Sequence, residues 1–153
     1  MAVDRTVERA VREALAGSVA GEGERFDVAV AAIGSAGDEF YSKALSLVFG
    51  IDAAALYSIH ELQRPDDEQL QLLANDFARQ EAEWAEVDAP TALAFLTVLA
   101  DGKPPLDVLS VADATFAAFA IGGWLVSAFI PNDTEWTAFL DAILDRLDAE
   151  PAK

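Results

Sequence analysis

From Ala114 to Ile130 the chain runs 17 positions without a charged residue, and everything else in the sequence has to accommodate that stretch. As a helix it spans about 25 Å at 1.5 Å per residue, short of the roughly 30 Å hydrocarbon core of a bilayer. No Lys or Arg lies closer to it than Lys103 and Arg146, so the basic flanks of a membrane span are missing. A helix that is apolar all round must instead be covered on every side by protein. This predicts an all-α, single-domain bundle of about seven helices around a central apolar helix at about 113–130. Gly122 and Gly123 fall in its middle. Each glycine costs about 1 kcal/mol relative to alanine in a helix interior, so the pair marks a tight crossing or a kink, and the alanine-rich surroundings favour a crossing.

The flanking segments carry the stripes and caps that such a bundle requires. Val3, Val7, Val11 and Leu15 repeat every four residues, which predicts an amphipathic helix over about Asp4–Ala16. Gly17, Gly21 and Gly23 then read as a flexible link, dividing the chain into an N-terminal helix with its glycine-containing linker (1–25) and an acidic helical domain (26–151). A stripe this narrow holds a helix poorly alone, so it is expected to dock on the body or on a second copy of the chain. Phe26–Ile33 fits a strand or a helix by period, and helix is preferred because no second strand candidate exists to satisfy its backbone. Asp38 is placed to cap a helix ending at Gly50, and Asp52 to start another carrying Leu56, Ile59 and Leu62 before Pro65. Asp66 and Gln69 have capping-box spacing ahead of a long helix bearing Leu70, Leu73, Phe77, Trp84 and Val87. Asp88 and Pro90 open the next helix, and Gly102 closes it. Asn132 and Glu135 are placed to cap a last helix striped by Trp136, Leu140, Ile143 and Leu147.

Charge limits what this body can bind. It carries 27 acidic against 10 basic residues, a net charge of -17, and residues 26–153 hold six basic against 22 acidic residues, or -16 of that total. Duplex nucleic acid takes its affinity from Lys and Arg neutralising phosphates, and an anionic membrane surface needs the same groups. Neither is an expected partner. There is no cysteine, which excludes disulfides and thiolate metal sites, and the charged, amphipathic Met1–Ala20 lacks the apolar run of a signal peptide. The expected location is cytoplasmic.

The catalytic and cofactor patterns fail at named residues. Gly21-Glu22-Gly23 has Phe26 where a dinucleotide fingerprint needs its third glycine. Ile33–Gly37 lacks the first glycine of a nucleophile elbow. Tyr57 stands where a carboxylate-bridged di-iron bundle needs Glu ahead of His60, and Asp66-Asp67-Glu68 lacks the EF-hand glycine. No catalytic residue, cofactor or metal is assigned. His60, Trp84 and Trp124 are the weak candidates for an interhelical pocket, each also explained as a core or boundary residue.

The acidic residues form the stronger signal. Asp141, Asp145 and Asp148 share one side of the last helix, and Glu81, Glu83 and Glu86 crowd the end of the long one. Like charges at this spacing repel and acids at a helix C-terminus oppose its dipole, by a few tenths of a kcal/mol each. These six are the candidate interaction surface. The expectation is a non-catalytic protein that binds a basic protein partner in an adaptor, inhibitor or immunity-type role. The alternatives are a small-molecule or enzymatic site between helices, and a salt-adapted domain whose acidity is unrelated to its function.

Overall fold

A computed structural model describes residues 3–130 and 133–149, and among them the chain forms seven α-helices and no strand. These are α1 (Arg5–Ala20), α2 (Gly23–Ser35), α3 (Asp38–Ser58), α4 (Asp67–Gln80), α5 (Ala89–Ala100), α6 (Val111–Ala128) and α7 (Trp136–Ala149), with a 3-10 turn at Pro105–Asp107 before α6. Helix α6 is central: two thirds of it is buried, and α1, α3, α5 and α7 all pack on it. Its ends are less covered, since Val111 and Phe116 reach solvent.

Several caps act where local chemistry places them, but Asp38 does not: it is the first residue of α3, behind Gly37, and no side chain caps that end. Asp66 and Gln69 close a reciprocal box, each side-chain oxygen accepting the other residue's backbone N–H at 2.8 Å. Asp88 accepts from the Thr91 amide at 2.8 Å, with Pro90 in the first turn of α5. Asp4 accepts from the amides of Thr6 and Val7 at the start of α1, and Gly21, at φ 67°, ends it. The cap expected from Asn132 lies outside the described residues.

Several boundaries differ from expectation, in each case because packing overrides a local signal. The break at Gly50 is absent, and α3 runs unbroken from Asp38 to Ser58. Ile51, Asp52 and Ala55 are all buried there, so Asp52 sits in a helix interior and caps nothing. The chain leaves α3 through Glu61 and Leu62, both left-handed at φ 55° and 65°, and the Leu62 side chain faces solvent. Helix α4 stops at Gln80, which puts Glu83, Trp84, Glu86 and Val87 beyond its end.

Helix α1 is part of the core. Val7, Val11, Ala14 and Leu15 are buried among residues of the body, so of the two dockings expected for this stripe the one on the body is formed. Gly17 does not break the helix. A Cβ at Gly17 would stand 2.9 Å from the Phe26 backbone nitrogen, so this glycine lets α2 fold back closely on α1. The link between them is the single turn at Gly21 and Glu22.

The same close approach recurs at the centre of α6. A Cβ at Gly123 would lie 2.2 Å from Ser18 Oγ and 3.1 Å from the Leu15 carbonyl, and one at Gly122 would lie 2.3 Å from Asp52 Oδ1. The pair is therefore a crossing point. At Gly50, by contrast, a Cβ would only touch Leu147 at an ordinary 3.6 Å. Chemical denaturation is expected to show Gly123→Ala destabilised by about 1–3 kcal/mol through overpacking, and Gly50→Ala unchanged or stabilised by up to about 1 kcal/mol through helix propensity.

Candidate functional site

The six candidate acids separate into two groups with different fates. On α7, Asp148 accepts from the Val3 amide and from Arg5, both at 2.8 Å, and these contacts hold its carboxyl below the usual range, the Val3 amide first. Asp141 pairs with Arg12, which also bonds Glu8 at 3.0 Å. Two of the three α7 acids are thus occupied by arginines of α1, and Asp145 remains exposed with no ion pair among the described residues. Glu8 and Arg12 pair at i,i+4 on α1, and Glu13 accepts from Arg25 of α2 at 2.7 and 3.2 Å.

In the second group, Glu81 accepts the Trp84 indole N–H at 2.6 Å. Glu83 and Glu86 are exposed on the loop between α4 and α5. The surface left free by internal pairing is therefore Glu83, Glu86 and Asp145, on two separate elements.

The three candidate pocket residues do not converge. His60 sits past the end of α3, its Nδ1 within 2.8 Å of the Leu56 carbonyl as a local hydrogen bond. Trp84 packs edge-on against Phe26 with ring centroids 5.0 Å apart. Trp124 is buried between Phe77 and Phe129 and donates its indole N–H to Gln80 at 2.9 Å. Each indole has a single partner that satisfies it, as packing residues require. Among the described residues no group of three or more His, Asp or Glu is arranged to hold a metal.

Two features went unread in the sequence. One is an apolar groove along the outer face of α3. Ser42 and Ser46, one turn apart, are shared by two adjoining clefts, one of about 380 Å3 toward Tyr41, Leu45, Phe49 and Leu106, the other of about 240 Å3 toward Val3 and Val7. Leu106 and Val111 line this region while 46% and 53% exposed, and Val108, two residues from Leu106, is 58% exposed. No period in the sequence marks them: of residues 106–111 only Leu109 packs on the core, and Asp107 is exposed along with its apolar neighbours. Asp4, Asp38 and Lys43 are the charged residues along its walls.

The other is Asp52. Its side chain is fully buried, and neither carboxyl oxygen has a hydrogen-bond partner among the described residues. Burial alone pushes its pKa well above the usual carboxylate range. Nothing in the sequence separates this aspartate from a cap, because it follows Gly50 and precedes an apolar run.

In comparisons with known proteins the chain matches no family model, no curated protein and no solved structure.

The pairing between α1 and α7 is measurable. A double-mutant cycle on Arg12→Ala and Asp141→Ala is expected to give a coupling of about 0.2–1 kcal/mol that shrinks as salt is raised. A coupling of zero at low salt would mean that α7 keeps its acids unpaired in solution.

Proposed function

We propose that the protein is a non-catalytic cytoplasmic binding domain, of adaptor, inhibitor or immunity type, that receives a basic, amphipathic segment of a protein partner over the outer face of α3. The observation that carries this reading is that Leu106 and Val111 line the α3 groove while exposed, with the exposed Val108 between them in the chain. Exposed apolar groups gathered at a cleft and rimmed by polar ones are characteristic of interaction sites. The charge supports a basic occupant. With -17 on each copy, a second copy of the chain approaches against repulsion, whereas a cationic segment is steered in. Glu83, Glu86 and Asp145 then contribute to the field that draws the partner, and the apolar groove supplies the contact.

A second reading has its own support. Exposed acids with no ion pair among the described residues occur on α2 (Asp27), α4 (Glu68), the following loop (Glu83, Glu86) and α7 (Asp145), a dispersed pattern suited to solvation in a salt-rich cytoplasm. That account predicts a thermal midpoint rising steeply with KCl as repulsion is screened. It makes no demand on Leu106 or Val108.

Affinity capture from native lysate with the wild-type chain and with Leu106→Asp/Val108→Asp separates the two. Both substituted side chains are exposed, so folding should be retained. The proposal expects a basic protein enriched by the wild type, lost on the substituted chain and weakened by added salt. Identical recovery by both chains would overturn the α3 groove as the docking site.

A further inference from the structure

We propose that Asp52 is a buried proton-binding site that couples protonation to the packing of α1 and α3 on α6, so that loss of its proton loosens α1 from the bundle. The geometry leaves the carboxyl no other means of staying charged where it is. It projects from the middle of α3 onto the backbone of α6 at Gly122, where only the absence of a Cβ makes room for it, and Leu15 of α1 closes the same spot. An ionised carboxylate taken out of water without a partner is far costlier than the neutral acid, and proteins relieve that cost by protonation or by opening to water.

No neighbouring element supplies a compensating charge. Helix α5 has no ionisable residue, and the only one on α6 is Asp113, nine positions before Gly122 and so roughly 13 Å along the axis. On α1, Arg12 is engaged by Glu8 and Asp141, Glu13 by Arg25 and Arg5 by Glu8 and Asp148, while Arg9 is exposed. The charged residues of α2 (Glu24, Arg25, Asp27) and of α7 (Asp141, Asp145, Arg146, Asp148) are likewise exposed. On α3 itself, Lys43 pairs with Asp4 and Glu39, Asp38 is exposed, Tyr41 bonds Thr115 and Tyr57 donates to the Ala100 carbonyl, and His60 beyond its end bonds Leu56. None of these groups is hydrogen-bonded to either Asp52 oxygen.

Helix α1 is the element that yields. At this junction it is held by Leu15 and by one hydrogen bond, from Ser18 Oγ to the Ala120 carbonyl at 2.9 Å. Its other ties to the body are the buried Val7, Val11 and Ala14, the close approach of Gly17 to Phe26, and the exposed pairs with α7, which salt weakens.

The direction of the pH effect follows from the raised pKa. A group whose folded pKa lies above its unfolded value, here 3.8, contributes its full stability below the unfolded value and loses it as pH rises toward the folded one. Asp52→Asn keeps the shape and cannot ionise. Comparing the two chains across pH at fixed ionic strength also cancels the repulsion among the other acids, which both share.

The test has two parts. In the wild-type chain, the Asp52 side-chain carboxyl followed by 13C NMR is expected to stay protonated well above the pH at which exposed carboxyls titrate, and titration in the ordinary range would overturn the proposal without any variant. In denaturation of the two chains, the ratio of the Asp52→Asn folding constant to the wild-type one is expected to grow by up to tenfold per pH unit above 3.8. A ratio constant with pH would overturn it. Hydrogen exchange, corrected for the intrinsic rate, is expected to show the wild-type loss concentrated in Val11–Ala20 and around Gly122. Loss spread evenly over α4 and α5 would overturn the assignment to α1.

Discussion

The close approach of α1 and α3 to the backbone of α6 at Gly122 and Gly123 is the constraint on which the rest of the structure depends. Ser18 and Asp52 occupy the space where two side chains would otherwise stand. Because those helices come so near, α6 can be buried along two thirds of its length by a chain of only 153 residues. The apolar contribution outweighs the ionic one here. Burying a Val or Leu side chain stabilises by about 1.5–3 kcal/mol, and α1 buries Val7, Val11 and Leu15, whereas each exposed pair with α7 adds no more than about 1 kcal/mol. The arginines of α1 orient a helix that hydrophobic contact holds.

The pairs nevertheless change how the charge is understood. Acids on α7 that look badly placed along their own helix are matched to Arg5 and Arg12, more than a hundred residues away in the chain. Their spacing matches the α1–α7 contact. What remains unpaired among the described residues is dispersed over α2, α4, the loop after it and α7, whereas the exposed Leu106 and Val111 lie together at the α3 groove.

Local chemistry was legible in the sequence and long-range packing was not. The all-α bundle followed from the uncharged run at 114–130 together with caps such as Asp66–Gln69 and Asp88, whose partners lie three residues away. The preference for helix over Phe26–Ile33 rested on the lack of any strand to pair with it, and α2 covers that segment. Where the reading failed, a residue had one local meaning and another tertiary one. Gly17 and Gly50 resemble breakers, yet the first admits the backbone of Phe26 and the second lies within a helix whose flanking residues are buried. Asp52 resembles a cap, and its burial depends on Gly122, 70 positions later. Of the pocket candidates, Trp84 and Trp124 take the packing roles that their positions by apolar stripes imply, and His60 closes the end of α3.

If the glycine crossing organises the bundle, α1 is indispensable to it and the division after residue 25 separates nothing that folds alone. The direct measurement is near-ultraviolet circular dichroism with thermal unfolding on a chain that begins at Gly23. The account predicts that this chain loses its fixed aromatic signal and its cooperative transition, because α6 is left open along the face that Leu15 and Ser18 cover. A truncated chain that kept a native-like aromatic spectrum and a sharp transition would contradict it.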